Sequence, residues 1–366
     1  MQDNWLAAIP KAELRQRIGN MDQVAAVRLV TLEEGRAQGM KAAEFYTGTG
    51  FGFTAMASRG LDITAASYQG KSLCWRAAVG DSHPAYYEPQ GLGWLRNFFG
   101  GLVATCGMTY AGAPCTDQGK ELGLHGRYSN TPAAGLSISQ GWQGDEYVMS
   151  VQGQMREACL FGENLVLTRR VWARMGEDRF FIDDVVRNEG YQTTEHMLLY
   201  HVNGGWPAVD AGSLLISPSR STRPRDAEAE KNKENYWNFE APTAGYKEKC
   251  YYHDLVAEQD GTVITALANP GFNNGEGFGF YLKFNLRELP IFTEWKQMGQ
   301  GDYTVGMEPA NCHVQGRAQE REWGSLQFLE PGERREYHLE IGVLRNAQEV
   351  YRLQERVQSL LQAKAG

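Results

Sequence analysis

The stretch LVLTRRVWARMGEDRFFIDDVVRNEG, residues 165–190, sets the strongest constraint on the fold. Apolar and polar residues alternate through 165–175 and again through 179–188, with Gly176, Glu177 and Asp178 as a turn signal between them. Successive side chains of a strand point to opposite faces, so this pattern gives each arm one apolar face. A helix would scatter the same residues around its circumference. The segment reads as a β-hairpin whose apolar face must lie on another layer.

The same texture recurs from about Val24 onward. QVAAVRLVTL, GFGFTAMASRGLDITAASYQGKSLCW, GLSISQGWQGDEYVMSVQGQM and TVITALANP alternate or nearly alternate, with turn residues between them. A total of 42 glycines suits many tight turns and bulges. No repeat period and no linker tract divides this region. It therefore predicts one large antiparallel all-β domain over residues 24–345, with two or more sheets face to face.

The two ends differ. Residues 4–19 read as a short helix and a turn, and residues 1–23 as an N-terminal helical extension. In NAQEVYRLQERVQSLLQAKAG, Asn346 reads as an N-cap with Glu349 three residues on. Val350, Leu353, Val357 and Leu360 share one helical face. Residues 346–366 are thus expected to form an amphipathic helix packed on the same domain, with a homodimer contact as the other arrangement.

Charge and cysteine usage narrow the function. The net charge is -8 over 366 residues, with no basic stripe for phosphates, which argues against a nucleic-acid partner. The mixed-sign run RPRDAEAEKNKEN, residues 223–235, reads as a solvated loop or short helix. No apolar run reaches the roughly 18 residues that span a bilayer, so no membrane partner is expected. The N-terminus has no apolar signal-peptide core. Six dispersed cysteines without a CxxC pair read as reduced thiols, pointing to a cytoplasmic protein with no disulfide frame and no zinc site.

Several chemistries lack their motifs. There is no GxSxG elbow and no P-loop, and neither GTGFGF nor GEGFGF opens a helix after a strand. What remains is a carboxylate and a histidine supplied by separate strands. Glu308, in GMEPANCHVQGR, is the carboxylate, and Pro309 reads as ending its strand and leaving the acid at an edge. His125, His201, His253 and His313 are the histidine candidates, while His338 sits in a clean strand and reads as structural. An acid/base pair of this kind moves protons at a carbon bearing oxygen when the environments separate the two pKa values. Spacing leaves open which histidine meets Glu308.

Three blocks, LHGRYSNTPA, LLYHVNGGWP and GMEPANCHVQGR, resemble the motif blocks of the aldose 1-epimerase (galactose mutarotase-like) superfamily, nearest a poorly characterised bacterial branch. SRGLDI at residues 58–63 and GGLVATCG at 100–107 resemble that branch too. The resemblance implies a large antiparallel β-supersandwich with a sugar cleft across one sheet. It implies interconversion of the α and β anomers of a free aldose, a hexose or pentose, without metal or other cofactor. Glu308 would be the general base that takes the anomeric hydroxyl proton, and His201 the general acid at the ring oxygen. His125 would bind a sugar hydroxyl, and Asp254 would grip others beside His253.

The chain also departs from the family pattern. YHVNGGWP stands where the family has NHSYFNL, so Asn203 and Trp206 are expected to shape the pocket, Trp206 by stacking on the sugar. The family's arginine-bearing block is missing, and Arg59 or Arg127 would take its place. Two other readings stay open: a non-catalytic carbohydrate-binding or sensing protein on the same fold, and a phosphosugar epimerase, which would need clustered cations at the cleft.

Overall fold

A computed structural model describes Leu6 and residues 9–365. Residues 4, 5, 7 and 8 of the expected N-terminal helix lie outside the described residues; what is described there is a single helical stretch, Lys11–Arg15.

Alternation becomes two large antiparallel sheets. Among the described residues one sheet has 12 strands and the other eight, with a small two-stranded hairpin beside them. The hairpin read from residues 165–190 is formed by Asn164–Arg174 and Arg179–Asn188, paired from Leu165↔Asn188 to Ala173↔Phe180. It lies within the eight-stranded sheet. Val171, Phe180 and Ile182 from that sheet and Ile63, Leu198, Val202 and Met307 from the larger one share a single buried cluster. Burial of this apolar surface is the main term holding the two layers face to face.

A buried cation is among the polar groups that bridge the layers. Arg169, fully buried, bonds Asp184 at 2.7 Å and Asp62 of the larger sheet at 2.9 Å. Its guanidinium also reaches Thr105 Oγ1 at 3.0 Å, and Tyr200 donates to Asp184 at 2.6 Å.

The larger sheet is covered on both faces, and this positions the site. In the central strand Thr194–Gly204, Leu198, Tyr200 and Val202 face the inter-sheet core. Met197 and Leu199 face a second cluster with Trp94, Phe98, Cys106, Tyr252 and Cys312. His201 follows that second set by the strand's period of two.

The neighbouring strand Tyr303–Ala310 runs straight through Pro309. This corrects the expectation that Pro309 ends the strand: Glu308 lies inside a central strand. The ladder to Ile291–Met298 is continuous through Phe292↔Pro309 and Thr293↔Glu308. The ladder to Thr194–Gly204 pairs Leu199↔Ala310 and Val202↔Met307 and skips the two positions between. Proline has no N–H to give, so the interruption falls on the histidine side.

The C-terminal helix spans Ala347–Ala365. Asn346 Oδ1 accepts the Glu349 N–H at 3.0 Å, while the Glu349 carboxylate accepts from the Arg345 N–H at 2.8 Å. Val350, Leu353 and Val357 pack on Ile216, Ala266 and Leu344 of the eight-stranded sheet, with Leu361, rather than Leu360, completing the contact. No helix among the described residues is long and apolar enough to cross a membrane. All six cysteines are free.

Candidate functional site

Register makes the central pair. Between Leu199↔Ala310 and Val202↔Met307, His201 stands opposite Glu308. Their side chains meet, with His201 Nε2 3.1 Å from Glu308 Oε1. Gly306 makes room for them. A Cβ there would sit 2.9 Å from Glu308 Oε1 and 3.2 Å from His201 Cε1.

The pair lies at the floor of a cleft of about 610 Å³. That is within the usual range for a small-molecule site. Aromatic rings form the walls. Phe98 lies 5.5 Å and Trp295 5.2 Å from the His201 ring, and Trp75 meets Trp295 edge-on at 6.3 Å. Trp75 is fixed by its own Nε1–H, which donates to Gly301 O at 3.1 Å. Such rings offer apolar faces to a ligand and shield the floor from water.

His125 reaches the same cleft from the opposite wall, its ring 5.8 Å from His201 and 4.8 Å from Trp94. It holds φ +57, a left-handed conformation rare for histidine. Two backbone bonds pin it there: its N–H to Gly112 O at 2.9 Å, and its carbonyl from Gly107 N–H at 3.1 Å. The glycine after it is obligatory, since a Cβ on Gly126 would fall 2.4 Å from the carbonyl oxygens of Gly107 and Tyr110. Non-glycine strain of this kind clusters at functional sites.

Burial sets the proton states. It pushes the Glu308 carboxyl up to about 8, with Glu248 adding and Arg225 opposing. Burial likewise brings His201 down to about 4 and His125 to about 3. Both members of the central pair are thus held neutral near pH 7, with the shared proton on the carboxyl. His125 Nδ1 is buried and has no hydrogen-bond partner. An unpaired buried nitrogen at a cleft is poised to bond whatever fills it.

Three of the eight residues singled out from the sequence, Glu308, His201 and His125, line this cleft. The other five do not. Arg59 is buried with its guanidinium consumed by the carbonyls of Ser129, Ser82 and Asn97. Arg127 stacks on Tyr110 and lies 3.9 Å from Glu157, which holds the Met108 N–H. Asp254 points to solvent and pairs with Arg220 at 3.6 Å. Trp206 is 64% exposed, on a surface turn. Asn203 is buried below the floor, where its Nδ2 ties His201 O at 3.0 Å to Gly101 O at 3.2 Å. Its effect is to hold the histidine strand against the Gly100–Gly101 turn. His253 is also off the cleft, bonded to Ser219 Oγ at 2.7 Å with Glu294 3.4 Å away. His313 is occupied by Glu320 at 2.9 Å.

Most of the cleft lining escaped the sequence reading, two charged residues among it. Arg225 and Glu248 line one wall beside Cys250. Arg225 falls in the mixed-sign run, residues 223–235, that reads as a solvated loop or short helix. A short helix does follow it, Ala227–Glu230. Arg225 itself, however, continues the edge strand Ser219–Pro224, its N–H donating to Cys250 O at 2.9 Å. The strand register, with Pro224 paired to Tyr251 and Arg225 thereby set against Cys250, is what the charge pattern concealed.

Solved structures share this architecture. A Klebsiella pneumoniae protein described as a "putative aldose 1-epimerase" superposes with a TM-score of 0.88 at 23% identity, over 93% of this chain and 91% of that one. A galactose mutarotase-like protein from Clostridium acetobutylicum gives 0.58 at 10% identity, over 88% and 99%. A galactose 1-epimerase from Lactobacillus acidophilus gives 0.53 at 14%, over 88% and 99%. At these identities the likeness concerns the fold. No curated protein matches the sequence. A family model described as a domain of unknown function, DUF4432, matches residues 37–343. The chain belongs to the DUF4432 family, and its fold is that of the galactose mutarotase-like sandwich.

Proposed function

We propose that the cleft is the active site of an aldose 1-epimerase, which interconverts the anomers of a free sugar with Glu308 as base and His201 as acid. The observation that carries this reading is the 3.1 Å contact between Glu308 Oε1 and His201 Nε2 at the floor of an aromatic cleft. The names carried by the structural relatives point the same way.

The chemistry needs one proton on the pair. With that proton on His201, the Glu308 carboxylate takes the proton of the anomeric hydroxyl. The O1 electron pair forms the C1=O1 bond, the C1–O5 bond breaks, and O5 takes the proton from His201. The open-chain aldehyde then faces a protonated Glu308 and a neutral His201. Rotation about C1–C2 and reversal of each transfer close the other anomer. The neutral pair favoured by burial is therefore the form that accompanies the open-chain intermediate. No net proton enters or leaves during the cycle, so a water-shielded floor is no obstacle. His125, with its unpartnered Nδ1, is placed to bond a sugar oxygen.

The test is anomer equilibration followed by polarimetry over a panel of freshly dissolved hexoses and pentoses. Acceleration of at least one sugar is the expected result. Binding of several sugars with no acceleration of any would leave a carbohydrate-binding protein instead.

A further inference from the structure

The wall formed by Arg225, Glu248 and Cys250 carries a mismatch. Arg225 Nε donates to Asp226 at 2.9 Å and one terminal nitrogen to Glu248 at 3.0 Å, both strong acceptors. The other terminal nitrogen, Nη1, donates to Cys250 Sγ at 3.0 Å. Sulfur is a weak acceptor, and burial keeps this thiol protonated by raising its pKa. A charged donor resting on a thiol inside a cleft gains free energy when an oxygen replaces the sulfur. Glu248 is held in turn by the Trp295 indole N–H at 2.8 Å, on the ring that flanks His201.

We infer that Arg225 and Glu248 are specificity-determining residues that read two adjacent hydroxyls of an uncharged, unphosphorylated sugar. Arg225 Nη1 leaves Cys250 Sγ to donate to one hydroxyl oxygen, and the Glu248 carboxylate accepts the proton of its neighbour. This deepens the mutarotase reading and rests on it for the identity of the ligand. The charge count favours a neutral ligand. Arg225 is the one cation lining the cleft among the described residues, and it already faces Asp226 and Glu248. Asp302 adds a further carboxylate at the mouth. A phosphoryl group would find no uncompensated positive charge and would meet two acids.

The experiment pairs variants with altered sugars. Dissociation constants would be measured by saturation-transfer NMR for uncharged aldoses, their monodeoxy analogues and their 6-phosphates. Wild type, Arg225→Gln and Glu248→Gln would be compared. The parent sugar should bind Arg225→Gln about 10- to 100-fold more weakly, the range for losing a charged hydrogen bond. One monodeoxy analogue should lose a similar factor on wild type and little more on Arg225→Gln, because both changes delete the same bond. A second analogue, deoxygenated at the adjacent carbon, should behave likewise with Glu248→Gln, which is half-exposed and so an independent check on folding. Cys250→Ala should bind within a few-fold of wild type. Unchanged affinities in both variants, or 6-phosphates binding more tightly than their parents, would overturn the inference while leaving mutarotation intact. Mutarotation absent with the affinity pattern present would overturn only the catalytic reading. A panel in which no sugar binds would overturn both.

Discussion

At the residue scale two neutralised groups, Glu308 and His201, share one proton. Glu308 releases its proton only near pH 8, and His201 gains one only near pH 4. Between these values the pair carries a single proton. In the proposed cycle a second proton below about 4 would block the base, and above about 8 the acid would have none to give. We therefore expect a bell-shaped pH profile of kcat/KM with limbs near these two values. Glu308→Gln should abolish the bell. The same burial has a stability consequence. Folded Glu308 keeps its proton up to about 8, while an unfolded glutamate loses it near 4.5. The unfolded state thus binds fewer protons through that window, and wild-type stability falls as pH rises through it. Glu308→Gln should show a flatter dependence, measured by urea unfolding at pH 5 and pH 8. Gly306→Ala is the steric counterpart. Its Cβ would press on both members of the pair, so kcat should fall at least tenfold with the fold retained.

At the element scale, what was legible depended on whether the signal was local. The 165–190 hairpin was legible because alternation and turn chemistry lie in one stretch. The C-terminal helix was legible for the same reason, down to the Asn346 cap. Asn346→Ala should cost about 1 kcal/mol of stability in urea unfolding and leave catalysis unchanged. Pro309 was misread because a proline signals a strand end only on average; here the central strand continues and one ladder alone is broken. Arg59 and Asp254 fall away from the cleft because sequence order does not tell which part of a strand or turn ends up beside it. Arg59 serves three buried carbonyls, and Asp254 shares a strand face with Cys250 but stands four residues further along, exposed and paired with Arg220. Arg225 was hidden by neighbouring charges that do face solvent.

At the scale of the whole molecule, two sheets are joined by an apolar core and one buried cation. Arg169 meets two carboxylates, Asp62 and Asp184, from the two layers. Its removal would leave both acids buried and unpaired. Arg169→Ala should destabilise the protein by about 3–5 kcal/mol, read as a drop in the urea midpoint. This network backs the central strands, since Thr105 and Tyr200 belong to the strands that flank and carry the histidine. The sandwich thus supplies a rigid floor, and the cleft face of one sheet carries the proposed acid/base pair. That division was legible in outline from the fold-wide alternation and the motif blocks. Which side chains share the cleft was set by register over distances of roughly a hundred residues, as His201 and Glu308 illustrate. The most direct test is the anomer exchange rate, followed by saturation-transfer NMR on one sugar that wild type and Glu308→Gln both bind. The expected result is a loss of roughly 100- to 10,000-fold in exchange rate with affinity retained. Equal exchange rates in the two proteins would contradict the assignment of Glu308 as the base.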